Sequence, residues 1–202
     1  MNFTRITTIA ACAFFVTVAA PAQAEVLTFD DVNTNSYVFP VASYQGFTMT
    51  NVGIVKGSSQ GAGYSAGVVS SPNVMFNGNA SLASISSASA FTLNSAYFTA
   101  AWSDRAVTVA GFNGSTQVFS ETFNVVSSGP TLRNFSFAPI TSFTWVSPNN
   151  SDGLGHIAID NFTFNAASAV PEPTTWAMML IGFGFIGWSL RRVKQVATVN
   201  FA

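Results

Sequence analysis

The sequence predicts an all-β protein: an antiparallel β-sandwich of jelly-roll type, followed by a single C-terminal transmembrane helix. Three observations predict it. Apolar residues alternate at period two through the middle of the chain, with turn residues between the alternating segments. No window of that region repeats convincingly at 3.6 residues. Near the C-terminus an uncharged run from Trp176 to Leu190 (WAMMLIGFGFIGWSL) is closed by Arg191, Arg192 and Lys194.

The N-terminus comes first. Arg5 is the only charged side chain ahead of an apolar stretch from Ile6 to Ala20, and Pro21-Ala22-Gln23-Ala24 then sets small residues at A-x-A spacing. This is the layout of a secretory signal peptide, residues 1–24, cut by signal peptidase before Glu25. Ile9-Ala10-Ala11-Cys12 also spells a lipoprotein box, but Cys12 lies inside the apolar stretch, not at its end. Cys12 is the sole cysteine. The exported domain, residues 25–169, therefore has no disulfide and no thiol chemistry.

That domain is long enough for one core, with about 68–70% of its chain surface buried on folding. Lys56, Arg105 and Arg133 stand against Glu25, Asp30, Asp31, Asp104, Glu121, Asp152 and Asp160: three bases, seven acids, net −4. Three scattered bases exclude a nucleic-acid partner, which needs a basic stripe. The surface has to be built from Ser, Thr, Asn and Gly. Fourteen Phe from Phe29 to Phe164, with Trp102 and Trp145, supply the core.

The strands follow in order. Ser81 to Ser89 is low in complexity, but Leu82 and Ile85 tie it to a strand. Ala96, Phe98, Ala100 and Trp102 fall on one strand face. Val107 and Val109 mark the next strand, and Asn113-Gly114 is a strong hairpin turn. Phe119, Glu121, Phe123 and Val125 alternate with Val118, Ser120, Thr122 and Asn124 on the return. Phe135/Phe137 and Phe143/Trp145 continue the pattern across Pro139. On the last strand Ile157 and Ile159 share a face, and a bulge at Asp160-Asn161 returns Phe162 and Phe164 to it. Lys56 to Ser71 (KGSSQGAGYSAGVVSS) reads as a flexible loop or decorated edge.

Several residues are candidates for chemistry. Gly63-Tyr64-Ser65-Ala66-Gly67 matches the G-x-S-x-G nucleophile elbow, which would make a secreted serine esterase of Ser65 with His156 as base. The Gly- and Ser-rich flanks, with no helix predicted after them, read instead as a surface loop. His156 is the only histidine, so no His-based metal site exists. Asp30 and Asp31 near the first strand would meet Asp160 and Asn161 on the last if those strands pair. Their oxygens would then suit Ca2+, and the same residues serve equally as ordinary turn and bulge residues. The FDD start and IDNF end are similar to jelly-roll carbohydrate-binding domains that hold a structural calcium. Sugar binding would use exposed rings among Tyr37, Tyr44, Tyr64 and Trp102, with Asn149, Asn150 and Asp152 at the edge.

The C-terminal segment carries the sharpest signal. Pro171 and Pro173 fix φ near −65° and disfavour helix in the residues before them, so Val170-Pro171-Glu172-Pro173 is extended, as proteases and transpeptidases require. Glu172 adds one charge. The apolar run of fifteen residues reaches about 22 Å as helix, less than the hydrocarbon core of about 30 Å. Thr174, Thr175 and snorkelling Arg and Lys stems extend it. Arg191, Arg192 and Lys194 hold the C-terminus in the cytoplasm and leave residues 25–173 outside. VPEP followed by TTWAMMLIGFGFIGWSLRR resembles the PEP-CTERM sorting signal, in the variant where Trp176-Ala177 follows the motif by two residues. The resemblance covers residues 170–194, with a short tail, 195–202, beyond. It implies a Gram-negative source that makes extracellular polysaccharide. It also implies an exosortase partner, a membrane transpeptidase acting near Pro171-Glu172-Pro173. The expected protein is exported, non-enzymatic and briefly membrane-anchored, then held at the cell surface or in the polysaccharide matrix. The alternatives are a carbohydrate-binding module with calcium and, last, the esterase.

Overall fold

The computed structural model describes residues 24–135, 137, 139–148, 153–165 and 173–192. The expected signal peptide with Cys12, the loop residues Asn149, Asn150 and Asp152, the motif residues Val170 to Glu172 and the end from Val193 onward lie outside them. Two units separate, one within residues 1–167 and one within 168–202.

Among its described residues the first unit is mainly strand, with short helical turns. Its strands are β1 (Glu25–Leu27), β2 (Tyr37–Tyr44), β3 (Phe47–Lys56), β4 (Asn73–Asn77), β5 (Ala83–Phe91), β6 (Leu93–Ala100), β7 (Arg105–Asn113), β8 (Thr116–Val125), β9 (Thr131–Asn134), β10 (Ile140–Val146) and β11 (Ile157–Phe164). All pair antiparallel, in the order β8-β7-β10-β5-β3-β4-β11-β6-β9, with β1 on β11 and β2 on β3.

β3 turns this ladder into a sandwich. Thr48 to Thr50 pair with β5, whereas Val52 to Lys56 pair with β4. Between the halves Asn51 takes φ +55°. Its amide donates to Gly78 O at 2.8 Å and Leu82 O at 2.9 Å, replacing ladder bonds lost at the corner. A strand that bends from one sheet into the next is how sandwich corners are made. One layer is thus β8-β7-β10-β5 with the front of β3; the other is the back of β3 with β4-β11-β6-β9. After β4 every connection except the β7–β8 hairpin crosses between layers. On the far side, the edge strands β8 and β9 are joined by an ion pair between Glu121 and Arg133, whose guanidinium lies 4.4 Å from the Phe123 ring centre.

The layers meet through rings: Phe98 against Phe123 at 5.2 Å, Phe143 against Phe162 at 5.6 Å. Ile157 and Ile159 are fully buried, and Asn161 at φ +46° slips the register between Asp160 and Thr163. That bulge buries Phe162 and Phe164 on the same side. The outward positions of the first layer are hydroxyl rows, Thr50–Ser84–Thr144 and Thr48–Ser86–Ser142, each residue opposite its neighbour.

Two expectations need correction. Lys56 to Ser71 holds two helical turns, α1 (Gly57–Gln60) and α2 (Ala62–Ala66). Gly61 at φ +65° breaks them apart. Trp102 does not share the buried face of Ala96, Phe98 and Ala100, because β6 ends at Ala100 and Trp102 stands 41% exposed beyond it.

The second unit is the helix α3 (Pro173–Arg192). Proline suits a first helical turn, where its missing N–H has no partner to lose. The exposed side chains from Met178 to Trp188 are apolar. Among the described residues, however, no helix is long and apolar enough to cross a membrane. The transmembrane expectation is met in the limits of the helix and not in its apolar length, since Pro-Thr-Thr and Arg-Arg occupy its ends.

Candidate functional site

One cleft of about 210 Å³ in the first unit is lined by Tyr37, Val55, Gln60, Tyr64, Phe76, Trp102 and His156. Glycine packing builds it. A Cβ at Gly63 would fall 1.8 Å from Ala100 O, and one at Gly67 2.7 Å from Thr99 Oγ1. Only glycine lets α2 lie this close to β6, with Gly63 N–H donating to Ala101 O at 2.9 Å. The two glycines of G-Y-S-A-G are therefore packing residues, and they seat Tyr64 under Trp102. The Tyr64 ring stands nearly perpendicular to Trp102 (5.6 Å, 86°) and to Phe76 (5.7 Å, 84°). Its burial raises the phenol pKa well above the usual range, so it stays neutral.

His156 sits at the base, 5.7 Å from Phe76. Asn77, itself fully buried, grips the backbone on both sides of it: Nδ2 donates to Gly155 O at 3.1 Å, and Oδ1 accepts from Ile157 N at 2.6 Å. Burial, with a smaller push from the Arg105 charge, lowers the imidazole pKa against a hydrogen bond with the Asn77 backbone. His156 Nδ1 has no hydrogen-bond partner. At the rim, Gln60 Nε2 donates to Ser36 Oγ at 2.9 Å, which orients the amide beside the 60%-exposed Tyr37.

The other sequence candidates scatter. Ser65 is exposed on α2, whereas His156 Nδ1 is buried and unpartnered; no nucleophile–base hydrogen bond joins them. Tyr44 is buried and donates its hydroxyl to Asp31, and burial with that bond raises its pKa. The first and last strands do pair, bringing Leu27 opposite Phe162. Yet each carboxylate nearby has its own donors. Asp30 accepts from Asn73 N at 3.0 Å. Asp160 accepts from Val69 N (2.7 Å), Ser70 N (2.9 Å), Ser70 Oγ (3.1 Å) and Asn161 N (2.7 Å), while Asn161 Oδ1 accepts from Ser70 Oγ at 2.8 Å. Burial raises the Asp160 pKa, opposed by those donors. Among the described residues no group of three or more His, Cys, Asp or Glu is placed to hold a metal ion. Asp160 instead ties the 57–71 segment to β11. Sequence reasoning missed Gln60, Phe76 and Val55 altogether.

In the second unit Pro173 opens α3, Trp176 and Ala177 lie in its early turns, and Arg191 and Arg192 close it. Residues 169–193 match the family model of the PEP-CTERM protein-sorting motif. The tail carries that motif. Two solved structures are similar to the chain. One is the N-terminal CBM22-1–CBM22-2 tandem domain of Xyn10C from Paenibacillus barcinonensis, at 14% identity and TM-score 0.43, covering 78% of this chain and 49% of that one. The other is a DUF4465 family protein from Bacteroides caccae, at 10% identity and TM-score 0.44, covering 70% of this chain and 98% of that one. The chain spans about half the length of the first. No curated protein matches it.

Proposed function

We propose that this is an exported, non-catalytic surface protein, delivered to the inner membrane and sorted by an exosortase that acts near Pro171-Glu172-Pro173. The observation that carries the reading is the sorting-motif match at residues 169–193, placed directly after a β-domain whose last strand ends at Phe164. The motif implies exosortase recognition. An apolar helix ending in two arginines is what such an enzyme's membrane neighbourhood would engage, and fifteen apolar residues make a tether shorter than an ordinary span. An exposed Ser65 with the Nδ1 of His156 buried supports a role without catalysis.

The test is made in the host. Wild-type protein should lose the residues after the motif and appear at the surface, by fractionation and by mass spectrometry of its C-terminus. The Pro171→Ala/Pro173→Ala double variant should remain uncut with the inner membrane. Wild-type protein that keeps its C-terminus through Ala202, or a double variant sorted like wild type, would overturn the proposal.

A further inference from the structure

From the cleft we infer a carbohydrate site: Trp102, Tyr37, Gln60 and His156 together hold one neutral pyranose unit of a polysaccharide. The inference rests on the export reading only for where the ligand is met; the chemistry belongs to the cleft.

Four features of the cleft lead there. The first is ring exposure. In a domain whose other aromatic rings mostly fill a core, Trp102 and Tyr37 are 41% and 60% exposed at the mouth of a depression. An exposed ring beside a concavity is a platform for a flat, half-apolar ligand, and the C–H face of a pyranose is such a surface. Trp102 is also held in place, its ring braced edge-to-face on a buried Tyr64. A platform that is already rigid loses little entropy on binding.

Size is the second. About 210 Å³ is below the 300–1,000 Å³ typical of sites that enclose a drug-sized ligand. The cleft accepts a single ring, with the rest of a chain left in solvent.

The third is polarity. Among the described residues no Asp, Glu, Lys or Arg lines the cleft, so a charged ligand would lose hydration with no counter-charge from them to replace it. Hydroxyl partners are present instead. Gln60 spends one N–H on Ser36 and keeps its carbonyl oxygen for a ligand hydroxyl. Tyr37, exposed at the rim, adds its phenol hydroxyl, while His156, fixed through Asn77 and with Nδ1 buried, contributes its ring to the floor.

Placement is the fourth. His156 precedes β11, and the chain leaves β11 for the tail at Phe164, eight residues on, or roughly 25 Å of strand. The cleft therefore lies at the end of β11 opposite to Phe164.

An aromatic-lined groove can also take a proline-rich peptide, and the test separates the two. The full chain, in a detergent without sugar headgroups, is titrated by calorimetry with neutral oligosaccharides of glucose, xylose, mannose and galactose, with polygalacturonate, and with the peptide AVPEPTT. At least one neutral oligosaccharide should bind. Trp102→Ala should weaken that binding at least tenfold, and Tyr37→Ala by a smaller factor; both side chains are exposed enough to be removed without unfolding the domain. Absence of binding by every neutral sugar at millimolar concentration overturns the inference. So does binding that both variants leave unchanged, or binding of the peptide or the acidic polymer alone. A sorting defect in the host would leave this titration unaffected, so the two proposals fail separately.

Discussion

Gly63→Ala distinguishes a packing glycine from a helix glycine by the sign of its effect. In a free helical turn the change would stabilise, because alanine is favoured over glycine by about 1 kcal/mol. In this structure the new methyl would lie 1.8 Å from Ala100 O and 3.0 Å from Ala101 Cα. Both are backbone atoms of the β6 end, so no side-chain rotation relieves the clash. α2 has to retreat by about 1 Å, stretching the Gly63 N–H bond to Ala101 O, and overpacking of this kind costs about 1–3 kcal/mol. The helix preference of about 1 kcal/mol offsets part of that, leaving a net loss of about 1 kcal/mol. With a urea slope of about 2 kcal/mol per molar, the midpoint falls by about 0.5 M. Gly129→Ala is the control: nothing lies within 4 Å of its Cβ and its φ is not in the left-handed region, so the change should stay within about 0.5 kcal/mol. Pulse proteolysis in urea, on the full chain in mild detergent, reads both. A Gly63→Ala protein as stable as wild type, or more so, would refute the close-approach argument and the positioning of Tyr64 that depends on it.

Two further predictions concern the base of the cleft. Asn77→Ala removes the acceptor for Ile157 N and the donor to Ser81 O and Gly155 O. Leaving the buried Ile157 N–H without its acceptor, and taking one donor each from the Gly155 and Ser81 carbonyls, should cost about 2–4 kcal/mol, read as a lowered urea midpoint, and an unchanged midpoint would mean that water replaces these bonds. His156 has its pKa lowered by burial, so the folded state resists its protonation while the unfolded state accepts it. Its contribution to stability is complete above the ordinary histidine pKa, near 6.5, and is lost as pH falls through the lowered folded value. Wild type should therefore lose more stability than His156→Gln between pH 7 and pH 5; parallel pH profiles for the two would contradict the burial argument.

What the sequence made legible was whatever depends on near neighbours. Period-two alternation located β6, β7, β8, β10 and β11. Asn113-Gly114 marked the β7–β8 hairpin, whose Gly114 takes φ +59°. The change from odd to even apolar positions between Ile159 and Phe162 announced the bulge at Asn161. The cleft was not legible, because its wall comes from β2, β3, β4, α1, α2 and two loops, brought together only by the folding of the ladder at Asn51. Trp102 shows the mechanism of the error: its parity assigns it to the buried face, but the strand ends two residues earlier, and parity has no meaning past that point. α1 and α2 were hidden for a different reason. Their Gly- and Ser-rich sequence has poor helix propensity, and the turns are held by contacts from afar, with Gly63 on Ala100 and Asp160 on the Val69 and Ser70 amides. Asp160 was singled out for its oxygens; what it binds in this structure is backbone N–H.

The scarcity of charge in this domain bears on what it can recognise. A small soluble domain usually carries about a quarter to a third of its surface as charged residues; here ten acids and bases serve residues 25–169, and one pair of them closes the β8–β9 edge. The outward face of the first layer shows hydroxyls in register across β3, β5 and β10 instead. Such a surface stays hydrated, because each hydroxyl donates and accepts, but it projects almost no field beyond the contact distance. Encounter with a partner then gains little from electrostatic steering, and affinity has to come from short-range contact at a shaped site. The uncharged cleft is built on the same terms. Its binding of a neutral saccharide should be nearly the same at 0.01 M and 1 M salt, although the Debye length changes about tenfold over that range. A steep loss of affinity with salt would show that Arg105 or Lys56, not the rings, attracts the ligand.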